Sequence, residues 1–167
     1  MSKRLRWGIL GAAKIAYEHV GPAIMRARGS DLVALATHNV ARATEAFDFA
    51  QSLRVHDSYE ALLADPEVDA IYIPLPNSMH VEWTKRVLEA GKHVLCEKPI
   101  ALRASEIDDL IAARDASGLM AAEGFMVCHH PQWRRVKTLL AEGAIGDLEH
   151  VEAAFSFRNT DLNNIRN

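Results

Sequence analysis

Cysteine is scarce in this sequence: Cys96 and Cys128 are the two thiols in 167 residues. No short spacing links them, so they build no disulfide framework, and a reducing, cytoplasmic setting is expected. Long apolar runs are also missing. The N-terminal run stops at Lys14 with no processing site after it, and no run reaches the roughly 20 residues of a membrane-spanning helix. Charge of one sign is lacking as well: 19 Lys and Arg stand against 22 Asp and Glu, a formal net charge of -3. Neither nucleic acid nor a membrane surface is therefore expected as a partner. There is no repeat and no low-complexity tract. No C-x-x-C or H-x-x-x-H spacing supports a metal site at Cys128-His129-His130, so none is expected. No G-x-S-x-G elbow supplies a nucleophile.

What is present is an alternation of strands and helices. Apolar runs at residues 5–10, 32–36, 55–56, 70–73, 94–96 and 119–122 read as strands. Residues 14–28, 42–50, 58–64, 80–90 and 105–118 read as helices. The first of these should bend at Gly21-Pro22, where proline cannot donate to the helix ladder. Asp57 or Ser58 can cap the third. Ser105-Glu106-Ile107-Asp108 looks like a capping box, and the helix it opens should bury Ile107, Leu110 and Ile111. The strands are continuously apolar, as befits strands covered on both faces. The fold class expected is α/β, a doubly wound parallel sheet.

The rhythm changes near Gly124. A helix is expected from Pro131 to Leu140, closed by Gly143. Residues 148–157 alternate as a one-sided strand with Val151, Ala153, Phe155 and Phe157 on one face. The expected division is a dinucleotide-binding domain over residues 1–123 and the start of an incomplete α+β domain over 124–167.

Candidate chemistry gathers at the carboxyl ends of the strands. Gly11-Ala12-Ala13-Lys14-Ile15-Ala16 occupies the place of the dinucleotide fingerprint G-x-G-x-x-G/A. Gly11 permits the tight turn, Ala13 is small enough for close backbone approach, and the helix N-terminus offers free N–H groups to phosphates. A plain strand-to-helix turn is the rival reading. The second strand ends in Thr37-His38-Asn39 without the acid that would hold a ribose 2'-hydroxyl. With His38 and Arg42 as positive groups, the lean is towards NADP over NAD. Pro74-Leu75-Pro76-Asn77-Ser78-Met79-His80 follows the fourth strand and Cys96-Glu97-Lys98-Pro99 the fifth, at the edge where doubly wound folds bind ligands.

The stretches 69–80 and 89–99, with Glu123-Gly124-Phe125-Met126 and His130-Pro131-Gln132, resemble the Gfo/Idh/MocA family of glucose-fructose oxidoreductase and inositol dehydrogenase. Residues 7–16 are similar to its xylose and dihydrodiol dehydrogenase branch. The resemblance implies hydride transfer between a sugar- or polyol-like hydroxyl and a nicotinamide. Lys98 would reach nicotinamide and substrate as the catalytic residue, and Glu97 would help seat the nicotinamide riboside. Pro76, Asn77 and His80 would line the cofactor cleft. The chain departs from the family at His38 and Cys128, where arginine is common. The family pattern continues past Asn167 into a segment whose Asp and His or Tyr complete proton transfer, so this chain alone is expected to be inactive. Copies are expected to associate through the 148–157 strand. A non-catalytic dinucleotide-binding sensor or partner module is the alternative.

Overall fold

The computed structural model describes residues 4–156 and 158, with the backbone alone at Arg42. The chain divides into two compact units, Met1–Phe125 and Met126–Asn167.

The first unit is a six-stranded parallel sheet. Its strands are β1 (Leu5–Leu10), β2 (Ser30–Ala36), β3 (Arg54–His56), β4 (Ala70–Ile73), β5 (His93–Cys96) and β6 (Ala121–Glu123). Their spatial order is β3-β2-β1-β4-β5-β6, and every pairing is parallel. The chain starts in the middle and winds outward twice, so β1 and β4 flank the point where the winding reverses. In doubly wound sheets such a reversal point, at the carboxyl ends of the strands, is where ligands bind.

Each face of the sheet has its own core. Leu10, Leu62, Ile71, Ile73, Trp83, Val87 and Val94 pack on one side. Ile9, Ile24, Leu35, Phe47 and Tyr72 pack on the other. Consecutive β4 residues thus face opposite ways and are all buried, which is why the strand reads as an unbroken apolar run.

Ala16–Val20 is a π-helical turn that runs into α1, Gly21–Arg26. Gly21 N–H donates to the Ala16 carbonyl five residues back. The bend expected at Gly21-Pro22 takes this form because Pro22 lacks the N–H that an α-helical ladder needs there. α2 spans Val40–Ala46 and ends earlier than residue 50. α3, Tyr59–Ala64, is capped by Ser58, whose Oγ accepts from Ala61 N–H at 3.3 Å. α4 is His80–Glu89 and α5 is Ala104–Ser117.

Two expectations for α5 need correction. Its cap is Arg103 rather than Ser105, because the Glu106 carboxylate reaches back to the N–H groups of Leu102 and Arg103, both at 3.0 Å. Leu110 is buried, but Ile107 and Ile111 are 37% and 42% exposed. Of that apolar stripe only Leu110, 5% exposed, is buried.

The second unit carries a short 3-10 turn, Met126–His129, and α6, Pro131–Ala141. His130 caps α6 by accepting from Gln132 N–H at 3.2 Å. Gly143 ends it in a left-handed conformation (φ 71°), the C-terminal stop its sequence position implies. The strand expected over 148–157 does not form across 148–156, which carries no regular structure. Strand geometry is held by ladder bonds to a neighbour, which alternation alone does not supply. Phe157 lies outside the described residues.

Candidate functional site

The carboxyl ends of β1, β2, β4, β5 and β6 bring the sequence candidates to one edge of the sheet. β1 ends in Gly11, which has φ 92° and donates to the Ala36 carbonyl at 2.8 Å. A methyl group there would stand 3.0 Å from Leu75 Cδ2 and 3.7 Å from the Tyr59 hydroxyl. Glycine is thus required twice, by the backbone and by close approach. Ala12, Ala13 and Ile15 follow half-buried, and Lys14 is exposed, 3.6 Å from Glu18. The turn delivers the chain into helix at residue 14, where the first N–H groups have no intrahelical partner.

At the end of β2, Thr37 is buried and His38 and Asn39 are exposed. Thr37 Oγ1 accepts from Asn39 N–H at 3.2 Å, so this hydroxyl shapes the turn. The His38 ring lies 4.9 Å from the Tyr59 ring, which meets Trp83 edge-on at 4.9 Å. The side chain of Arg42 lies outside the described residues.

After β4, Pro74 and Leu75 are buried while Pro76 and Asn77 are exposed at the edge. His80 does not line a cleft. Its ring is fully buried, with Nδ1 2.7 Å from the Pro99 carbonyl and Nε2 2.7 Å from the Leu75 carbonyl.

The turn after β5 is tied down residue by residue. Glu97 N–H donates to the Ile73 carbonyl at 3.0 Å. The Glu97 carboxylate accepts from the Tyr72 hydroxyl at 2.7 Å and from Lys98 N–H at 3.3 Å. Lys98-Pro99 is a cis peptide bond. Ile100 N–H donates to Glu123 Oε1 at 2.9 Å. Gly124 closes over the turn, donating to the Cys96 carbonyl, with 3.4 Å from its missing Cβ to Glu97 Oε1. Against this fixed backbone the Lys98 side chain is exposed, and among the described residues no hydrogen bond or ion pair holds its ammonium. Burial and the Glu97 carboxylate push the Tyr72 phenol well above its ordinary value, so it stays a donor. Burial likewise pushes the Cys96 thiol up to about 12, against the pull of the Thr84 hydroxyl.

Sequence reasoning gave no role at the site to Tyr72, Glu123, Tyr59 or Trp83, although Tyr72 and Glu123 stood in the motifs that carry the resemblance. A tyrosine inside an otherwise apolar buried strand was the available signal for the first, because a buried phenol seeks a partner. The others depend on contacts that no local pattern announces.

This strand order, with a glycine turn at the reversal point, is that of a dinucleotide-binding sheet. Residues 5–125 match the Gfo/Idh/MocA family model, an oxidoreductase family with an NAD-binding Rossmann fold. The chain belongs to this family.

Among Gfo/Idh/MocA relatives, an uncharacterized oxidoreductase of Rhizobium meliloti is 44% identical over 98% of this chain and 49% of its own length. The D-xylose 1-dehydrogenase (NADP(+)) 2 of Haloferax volcanii is 38% identical over 94% of this chain and 48% of its own. The crystal structure of KijD10, a 3-ketoreductase from Actinomadura kijaniata in complex with TDP-benzene and NADP, superposes with TM-score 0.80 at 39% identity. It covers 87% of this chain and 46% of KijD10. The chain spans about half the length of the curated relatives it matches.

Proposed function

We propose that this chain is the cofactor-binding half of an NADP-preferring oxidoreductase that moves hydride between a sugar- or polyol-like hydroxyl and nicotinamide. The observation that carries the reading is Lys98: an unpartnered ammonium on a turn pinned at Glu97, Lys98, Pro99 and Ile100, at the ligand edge of the sheet.

The residues present fit a dinucleotide. Gly11 makes the tight turn that a dinucleotide fingerprint needs, with φ 92° and no room for a Cβ against Leu75. Gly11, Ala12, Ala13, Lys14 and Ile15 would hold the phosphates by backbone N–H groups. The end of β2 would take the adenosine ribose. No acid stands at Thr37-His38-Asn39, and exposed His38 gives a 2'-phosphate a basic neighbour. A relative named for NADP(+) and a neighbour solved with NADP support that preference. Pro74, Leu75, Pro76 and Asn77 would wall the nicotinamide side, with Glu97 below it and His80 bracing from beneath. When bound, the nicotinamide supplies or accepts the hydride. In the reducing direction the Lys98 ammonium would give the substrate oxygen its proton as hydride reaches carbon. In the oxidising direction the neutral Lys98 amine would take the hydroxyl proton as hydride leaves.

Residues 124–167 open a second, α+β domain in this reading. The exposed apolar side chains Leu148 and Val151 favour association of copies through that segment, which light scattering would register as mass rising with concentration. Two unpaired thiols suit a cytoplasmic enzyme. Calorimetric titration tests the cofactor assignment: NADPH should bind at least as tightly as NADH. NADH bound about tenfold more tightly, about 1.4 kcal/mol, would refute the preference.

A further inference from the structure

We propose that His80 is a positioning residue for Lys98, tying the cofactor-facing loop after β4 to the lysine turn after β5. The inference rests on the cofactor reading above and deepens it.

His80 opens α4, and its ring is 0% exposed. Burying a polar ring is costly unless its nitrogens are hydrogen-bonded, and an aliphatic side chain would fill the same space without that cost. Both nitrogens face carbonyl oxygens, and these sit on different loops: Leu75 on one and Pro99 on the other, each at 2.7 Å. That distance is at the short end for N–H···O bonds. Imidazole offers one N–H when neutral and two when charged, and here both neighbours are acceptors.

The two loops have distinct duties. Leu75 packs its side chain 3.0 Å from where a Gly11 Cβ would stand, so its position follows the phosphate turn. Pro99 directly follows Lys98. The flanks of the lysine turn are fixed from other strands: Tyr72 holds Glu97 and Glu123 holds Ile100. The Pro99 carbonyl is held by His80. A physical chain therefore runs from Gly11 through Leu75, His80 and Pro99 to Lys98. Seating of the cofactor at the glycine turn fixes where the lysine ammonium stands at the carboxyl edge of the sheet.

The test compares cofactor affinity with exposure of Lys98 in the wild-type chain, His80→Leu and His80→Gln. Affinity is read by calorimetry with NADPH. Exposure is read as the rate at which acetyl N-hydroxysuccinimide ester labels Lys98, by peptide mass spectrometry, with Lys85 as internal reference. In the wild type, saturating NADPH should slow Lys98 labelling by about tenfold or more, since a held lysine is shielded by the ligand it faces. His80→Leu should lose most of that protection even at NADPH concentrations that saturate it, so that protection falls by more than affinity does. His80→Gln keeps an amide NH2, two N–H donors on a single nitrogen, and should recover part of it. Wild-type protection in both variants would overturn the proposal, as would loss of affinity and protection in parallel, the mark of a merely structural histidine. If His80→Leu does not fold, His80→Gln decides by the same criteria. No NADPH binding by the wild type would instead bring down the cofactor reading itself, and this inference with it.

Discussion

At the amino edge of the sheet, Arg6 reaches both oxygens of Asp69 at 2.8 Å and Glu67 at 2.6 Å. Lys92 is buried there with its ammonium on the carbonyls of Asp65 and Val68, both at 2.7 Å. At the carboxyl edge of the same sheet, the backbone of Lys98 is tied down, and among the described residues nothing holds its side chain. Both edges carry a lysine and a carboxylate in sequence proximity to strand ends. At the first edge the fold holds Arg6, Asp69 and Lys92. At the other, the fold consumes the backbone and the glutamate and leaves the cation over. A charge left unpaired at such an edge is a group available to a ligand, whereas a paired one contributes to stability. Substitutions at the two edges should therefore fail in different ways.

The largest effect is expected at Lys98. In an enzyme assembled around this chain, Lys98→Ala should lower turnover by about 10²- to 10⁴-fold, with the cofactor dissociation constant almost unchanged. Steady-state kinetics beside calorimetry would read that split, and unchanged turnover would end the catalytic assignment.

Gly11→Ala comes next. A side chain at φ 92° costs about 1–3 kcal/mol, and the 3.0 Å approach to Leu75 adds to it. NADPH affinity should fall by about tenfold or more together with the melting temperature.

Asp69→Ala probes the other edge. It strips three Arg6 donors and should destabilise by about 2 kcal/mol, measured by urea unfolding. Cofactor affinity in the folded variant should not change. A large change in affinity would blur the division between the edges.

The smallest effect is a pH slope. The folded state raises Cys96 from 9.0 to about 12, so its contribution is fully present below pH 9.0. It is lost as pH climbs through about 12, because the unfolded thiol ionises first. The loss is at most about 1.4 kcal/mol per pH unit for one group. Cys96→Val should show a flatter alkaline limb in urea unfolding against pH. Tyr72, raised in the same sense, leaves a residual slope.

How much of this was readable in the sequence differs between the same regions. Continuous apolar runs marked β1, β4 and β5, the first two ending at Gly11 and Pro74, and placed Gly11, Pro74 and Lys98 at one edge, because burial on both faces leaves a local signature. The 148–157 alternation pointed to a strand that does not form across 148–156, since periodicity encodes a face and not a pairing partner. His80 looked like a cleft residue from its place in the motif. That its ring turns inward to two carbonyls depends on where the loop of residues 97–100 lies, about 20 positions on, which no spacing rule encodes. Ile107 and Ile111 had helical spacing for burial, but how much of a stripe is covered is decided by the neighbouring elements.

The central claim is that ligand chemistry belongs to the carboxyl edge alone. Amide chemical-shift mapping of the labelled chain on titration with NADPH tests it most directly. The account predicts shifts clustered at Gly11, Ala12, Ala13, Lys14, Ile15, His38, Leu75, Asn77, Lys98 and Gly124, with Arg6, Asp69, Lys92 and His93 unmoved. Shifts centred on the amino-edge residues, or none at Gly11 and Lys98 at saturating NADPH, would contradict it.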